Sequence, residues 1–285
     1  MSVKFGPAGN SLSFYADGKK NTFEAPAWIR GLGLDAYEYQ CGQGVRGSYE
    51  AFKKIGDEAK LNGIALSLHA PYFISLSGID EEKRLKSLEY IKQSVAAAEA
   101  MGATKIVIHT GSASKITREE AVKLAKDTMY RTLEAIPDTP VLFGLETMGK
   151  INQLGTLSEV IDICSIDKRL CPVVDFGHLN ARECGGAFVS ADDYRRVFDT
   201  ISERLGAEYA DTLHCHFSKI EYTGAGEKKH LTFADTVYGP EFMPLAEALA
   251  KDGYSARIIC ESDGTMAEDA LAMQKMYNEA LKMYK

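Results

Sequence analysis

Nine residues of this 285-residue chain have the types and positions needed to bind cations. His69 follows the apolar run 64–68, His109 follows 105–108, and Glu146 follows 141–145. Asp175 ends Val173-Val174 within Cys-Pro-Val-Val-Asp-Phe-Gly-His, residues 171–178, and His178 comes three residues later. His214 and His216 alternate along 212–217, His230 lies in a polar stretch after that run, and Glu261 follows 256–260. A short apolar run that stops at an imidazole or carboxylate reads as a buried strand with a ligand at its C-terminal tip. Imidazole and carboxylate without thiolate suit zinc, manganese or a similar ion, and a carboxylate such as Glu146 can bridge two of them. Two ions held about 3.5–4 Å apart steady both oxygens of an in-line displacement at phosphorus. A single histidine at a strand end is ordinarily just a hydrogen-bonding residue. Here all six histidines fall on one predicted face, which that reading does not explain.

The elements needed to place these residues follow from the hydropathy pattern. Val3–Phe5 opens as a strand stopped by Gly6-Pro7-Ala8-Gly9, and residues 34–39 alternate as a second strand. Six more strands are predicted at the runs just named. Between them lie amphipathic stretches, with helices expected over 48–61, 81–101, 160–164, 190–205 and 241–251. Residues 22–32 read as a short helix broken by Gly31 and Gly33. Thr117–Glu120 and Thr156–Glu159 are capping boxes, Ser190 and Thr265 are further N-cap candidates, and 218–240 reads as a long polar loop. Eight strand-then-helix units without a Pro/Gly/Ser-rich linker predict a (β/α)8 TIM barrel forming a single domain over 1–285. In such a barrel the loops after the strands gather at one face, where ligands bind. No Gly-x-Gly-x-x-Gly follows the first strand, so a dinucleotide fold has no support.

Composition narrows the class. With 45% hydrophobic and 26% charged residues, the chain can bury a large core. No basic-then-apolar leader and no apolar stretch of membrane-spanning length is present, which predicts a cytoplasmic protein without membrane association. Six scattered cysteines without Cys-x-x-Cys argue for reduced thiols rather than a zinc ribbon or disulfides. The net charge of −7 disfavours whole-surface attraction to a polyanion, so a nucleic-acid partner needs a local basic patch or bound cations.

Taken together, these motifs resemble the endonuclease IV family, zinc-dependent (β/α)8 enzymes that cut DNA beside abasic sites. His69 in Leu-His-Ala-Pro-Tyr and His109 in Ile-His-Thr-Gly-Ser are similar to that family's two histidine motifs for a first metal. Glu146 matches its bridging glutamate. Asp175-Phe-Gly-His178 matches its Asp-x-x-His signature, which implies Asp175 at a second metal and His178 at a third. His216-Phe-Ser resembles the strand-seven motif, and Glu261 the last carboxylate of the second site. Tyr72 matches a position that the family sets against DNA. The resemblance implies two or three zinc ions, with manganese as an alternative, and Glu146 and Glu261 as the catalytic carboxylates. It also implies a monomer acting on double-stranded DNA, where a metal-activated hydroxide cleaves the phosphodiester 5′ to an abasic site.

Two features depart from the family pattern. The family pairs its third-metal histidine with an aspartate two residues earlier, where this chain has Lys228-Lys229-His230. Glu227 as a substitute carboxylate and the Lys228 ammonium as a substitute charge both remain open. His214 and His216 face the same side of their strand, and motif context favours His216 as ligand with His214 behind it. Loops around Tyr72, 43–46 and 218–230 are expected to grip a DNA backbone, with Arg46, Lys228 and Lys229 as phosphate-binding candidates. The alternative from another class is a manganese- or magnesium-dependent sugar isomerase or epimerase. It would use Glu146, Asp175, His216 and Glu261 around one metal, with the two glutamates shuttling a proton beside a carbonyl.

Overall fold

A computed structural model describes residues 3–284. Eight parallel strands form one sheet: β1 (Lys4–Pro7), β2 (Ala36–Gln40), β3 (Ala65–His69), β4 (Lys105–His109), β5 (Leu142–Glu146), β6 (Leu170–Asp175), β7 (His214–Phe217) and, after the hairpin β8 (Ile220–Thr223) and β9 (Gly226–His230), β10 (Arg257–Cys260). Their order is β1-β10-β7-β6-β5-β4-β3-β2, so only the β1–β2 seam lacks a continuous ladder. Asp35 N–H donates to Phe5 O at 3.0 Å, Gly9 N–H donates to Glu38 O at 2.9 Å, and a parallel bridge joins Ala8 to Glu38. These contacts nearly close a (β/α)8 barrel, as the alternating pattern predicts.

The helices are α1 (Leu12–Ala16), α2 (Ala25–Leu32), α3 (Tyr49–Asn62), α4 (Glu81–Met101), α5 (Arg118–Ala135), α6 (Leu157–Cys164), α7 (Phe176–Arg182), α8 (Ala191–Leu205), α9 (Ala207–Asp211), α10 (Met243–Asp252) and α11 (Met266–Met283). Among the described residues none is long and apolar enough to cross a membrane. The Thr117 and Thr156 hydroxyls accept from the N–H groups of Glu120 and Glu159, and each glutamate reaches back, so both capping boxes form. Thr265 is the N-cap residue of α11, as expected, but its hydroxyl donates to Asp269 at 2.9 Å instead of accepting from a first-turn N–H.

Three other expectations need correction. β1 does not stop at Phe5: it runs through Gly6 and Pro7, because the barrel wall is tight there and a Cβ on Gly6 would lie 1.7 Å from the Ala36 carbonyl oxygen. Residues 22–32 form a 3₁₀ turn and then α2, which Gly31 does not break. The stretch 218–240 is not wholly loop but folds its first half into the β8–β9 hairpin.

Period-2 alternation divides each strand between two environments. On β5, Phe143 and Leu145 join the large core under the helices, whereas Gly144 and Glu146 face the barrel interior. On β2, Tyr37 faces the helices and Glu38 the interior. Ala8, Ala36 and Ile259 make a small separate apolar cluster, and the fully buried polar residues Glu38, Ser67, His214 and His216 share that interior. The barrel's inside is therefore a polar, histidine-rich column wrapped by an apolar outer core.

Candidate metal centre

All the candidate ligands except His214 converge at the C-terminal mouth, each carried there by its own element. His69, His109, Glu146 and Asp175 are the last residues of β3, β4, β5 and β6, and Glu261 directly follows β10. His216 sits on β7, and His230 ends β9, brought over the mouth by the hairpin. His178 lies inside α7, because Asp175 caps that helix by accepting from His178 N–H at 2.7 Å. That cap turns the chain immediately after the strand and points the imidazole inward.

Glu146 is the hub. Its Oε2 lies 3.3 Å from His69 Nε2 and 3.2 Å from His109 Nε2. Its Oε1 lies 2.9 Å from His216 Nδ1, which is itself 3.4 Å from Glu261 Oε1. Burial alone would raise the Glu146 carboxyl, but the His216 charge and hydrogen bonds from His109, His216 and His69 hold it well below its usual range. Burial opposes charge on His216 as well, yet Glu261, Glu38 and Glu146 push it well above the ordinary histidine value.

The ring nitrogens are fixed from behind. His69 Nδ1 faces Ala70 O at 2.8 Å, and His178 Nδ1 faces Thr147 O at 2.9 Å. Each carbonyl accepts from Nδ1–H and so turns Nε2 toward the cavity, where it can bind a metal once its own proton is displaced. His178 Nε2 lies 3.6 Å from Glu227 Oε2, and its ring centroid is 5.3 Å from that of His230. The donors form the groups His69/His109/Glu146, Glu146/Asp175/His216/Glu261 and His178/His230/Glu261, each with donor atoms within 4.8 Å of one another. Donors sharing one tetrahedral zinc at about 2.1 Å stand roughly 3.4 Å apart. The separations here bracket that spacing.

Asp175 Oδ2 is buried without a hydrogen-bond partner, as an oxygen reserved for a cation would be. By donor chemistry and by this orphaned oxygen, the residues fit divalent metal ions.

The centre opens into a cavity of about 760 Å³ that Tyr72, Lys150, Gln153, Glu227 and Lys229 also line. Tyr72 stacks on His109, with ring centroids 5.4 Å apart at 25°, and is half-exposed. Arg46 and Lys228 do not line the cavity. Lys228, an exposed side chain, is paired with Glu221 at 2.6 Å.

His214 lies one layer deeper, where its Nε2 is 3.0 Å from Glu38 Oε2. Burial holds it neutral, down to about 3. Glu38 is the residue that sequence reading missed, because it sits mid-strand rather than at a tip. Its signal was a carboxylate at the interior-facing position of an otherwise aromatic strand, Tyr37-Glu38-Tyr39.

A protein family described as a xylose isomerase-like TIM barrel matches residues 26–284, and the chain belongs to that family. An uncharacterised protein of Methanocaldococcus jannaschii is 28% identical over 96% of this chain and 97% of its own length. A protein of Acholeplasma laidlawii named probable endonuclease 4 is 32% identical over 60% of this chain, which spans 59% of that relative. Among solved structures, endonuclease IV of Thermus thermophilus superposes with a TM-score of 0.69 at 19% identity, covering 98% of this chain and 99% of its own. A D-tagatose 3-epimerase-like protein superposes with a TM-score of 0.70 at 20% identity, covering 99% and 98%. At those identities the two structures share the fold, which serves both chemistries.

Proposed function

We propose that this protein is a single-domain, zinc-dependent endonuclease of the endonuclease IV type, which hydrolyses the DNA phosphodiester 5′ to an abasic site. The observation that carries this reading is that Glu146 belongs to two donor groups at once, His69/His109 on one oxygen and His216 on the other. A one-metal sugar enzyme needs only Glu146, Asp175, His216 and Glu261. It leaves the His69–His109 pair and the His178–His230 pair without a role.

The first metal position takes His69, His109 and Glu146, and the second takes Glu146, Asp175, His216 and Glu261. The third takes His178 and His230, with Glu227 standing in for the aspartate that the resemblance leads one to expect at 228. Ions bound there would supply Lewis acidity toward water and toward the phosphoryl oxygens. The chain's own groups do the rest. Glu146 would contribute to both of the first two positions, and Lys150 and Lys229 offer ammonium groups to the phosphates flanking the cut. The stacked, half-exposed Tyr72 gives a flat apolar surface against which an extruded abasic sugar can rest, and extrusion costs little where no base must unstack. Attack of a water oxygen on phosphorus breaks the P–O3′ bond, leaving a 3′-hydroxyl and a 5′-phosphate on the abasic residue.

The test is a duplex carrying one abasic site. Incision immediately 5′ to that site, abolished by a chelator and restored by zinc, is the expected result. The epimerase reading draws on the acidic net charge and on the shared fold. No incision, together with a single exchangeable manganese and tight ketose binding, would establish it instead.

A further inference from the structure

Below the mouth, Glu38 occupies the barrel axis with no exposure to solvent. Four side chains converge on its carboxylate from three strands. Ser67 Oγ donates to Oε2 at 2.9 Å, His214 Nε2 lies 3.0 Å from Oε2, His216 Nε2 lies 3.0 Å from Oε1, and Gln40 Nε2 donates to Oε1 at 3.4 Å. His216 thus has a carboxylate at each edge: Nδ1 is hydrogen-bonded to Glu146, whereas Nε2, like that of His214, meets Glu38 at 3.0 Å in an ionic contact outside hydrogen-bond alignment. A carboxylate behind an imidazole sets which nitrogen carries the proton, limits ring rotation and raises the basicity of the other nitrogen. Gln40 extends the network upward, since its Oε1 accepts from the Tyr72 hydroxyl at 3.2 Å, at the rim of the cavity.

We infer that Glu38 is the positioning residue of the central metal site: its carboxylate, steadied by Ser67, His214 and Gln40, presents His216 Nδ1 to the ion shared with Asp175 and Glu261. This inference rests on the proposed ligand role of His216. Glu38 touches neither substrate nor the cavity, and its effect passes through the imidazole. The charged carboxylate matters more than its bulk, because Gln keeps the volume but replaces one acceptor oxygen with an NH₂ donor that would confront an imidazole N–H.

The experiment is cobalt(II) titration of metal-stripped full-length protein, followed by visible absorption and by chelator competition. Glu38→Gln is expected to weaken cobalt binding at the central position by about 10–100-fold and to shift its ligand-field bands. Ser67→Ala, which removes one support from the carboxylate and is the safer variant for folding, should shift the bands in the same direction by less. Circular dichroism of the metal-free forms should match wild type. Wild-type affinity and spectrum in both variants would overturn the inference while leaving the metal centre intact. Loss of one whole additional ion from Glu38→Gln would also overturn it, by making Glu38 a ligand of its own site with His214. Wild-type protein that binds no cobalt would overturn both this inference and the proposed function.

Discussion

At the scale of single residues, the candidate centre is governed by competition between protons and cations for the same atoms. Burial pushes the Glu261 carboxyl up to about 8: the His216 charge opposes that rise, and Glu146 and Asp175 reinforce it. Burial disfavours charge on His178, but the carboxylates of Asp175, Glu227 and Glu146 outweigh it and hold the imidazole up to about 9. Both raised values mean that the metal-free protein keeps a proton on each group at pH 7, and that a cation must displace it. Zinc uptake is therefore expected to release protons. Affinity should rise from pH 7 to pH 9, flatten above that, and fall as pH drops. Calorimetry in two buffers of different ionisation enthalpy measures the release, and a pH-independent affinity would count against these groups as ligands. The histidines at strand tips were legible in the sequence because each ends an apolar run. Glu38 was not, because the tip of its strand is Gln40 and only the closed barrel brings β2 opposite β7.

At the scale of elements, one hairpin determines whether the mouth is complete. β8 and β9 carry Glu227, Lys229 and His230 over the cavity, and Ser218 Oγ holds His230 Nδ1 at 2.8 Å. Gly226 clamps the hairpin against the β5–α6 loop. Its φ is 88°, and a Cβ there would lie 2.2 Å from the Gly149 carbonyl oxygen. Gly226→Ala is expected to cost about 1–3 kcal/mol of stability, as a strained positive-φ position does. It should also loosen metal binding at His178 and His230 more than at His69 and His109. Urea unfolding and stepwise metal titration check the two parts, and an unchanged unfolding midpoint would show that the hairpin is not clamped there. The hairpin was invisible to pattern reading because β9 is Gly-Glu-Lys-Lys-His, a sequence with little intrinsic strand preference. Helix α7 was hidden for the opposite reason: an N-cap aspartate that also ends a strand leaves no turn to mark the boundary.

At the scale of the whole molecule, the barrel concentrates ionisable groups where a soluble protein ordinarily packs aliphatic side chains. Glu38, Glu146, Asp175, His214 and His216 are all essentially inaccessible to solvent. Such a column is held in place by the surrounding apolar shell and by whatever ions it binds, so cation binding should feed directly into global stability. Zinc at a hundred times its dissociation constant is expected to stabilise the fold by about 2.7 kcal/mol per independent site. Differential scanning calorimetry with zinc and with a chelator tests this, and a melting temperature indifferent to chelation would argue that the ions are not part of the folded protein. With a net charge of −7, the molecule can attract a polyanion only locally, and at the mouth Lys150 and Lys229 line the cavity.

Local sequence patterns suffice to specify the eightfold alternation of strand and helix, and with it the face on which His69, His109, Glu146, Asp175 and Glu261 stand. Apolar runs and caps are local signals, and a strand's last residue faces the same end of the barrel as those of its neighbours. How these residues are shared depends on long-range packing. It gave each oxygen of Glu146 to a different set of histidines, turned Lys228 away to Glu221 while bringing Glu227 toward His178, and placed Glu38 behind His216. Those relations join residues far apart in the chain, and they are set by barrel closure and by the packing of one hairpin, which no local pattern encodes.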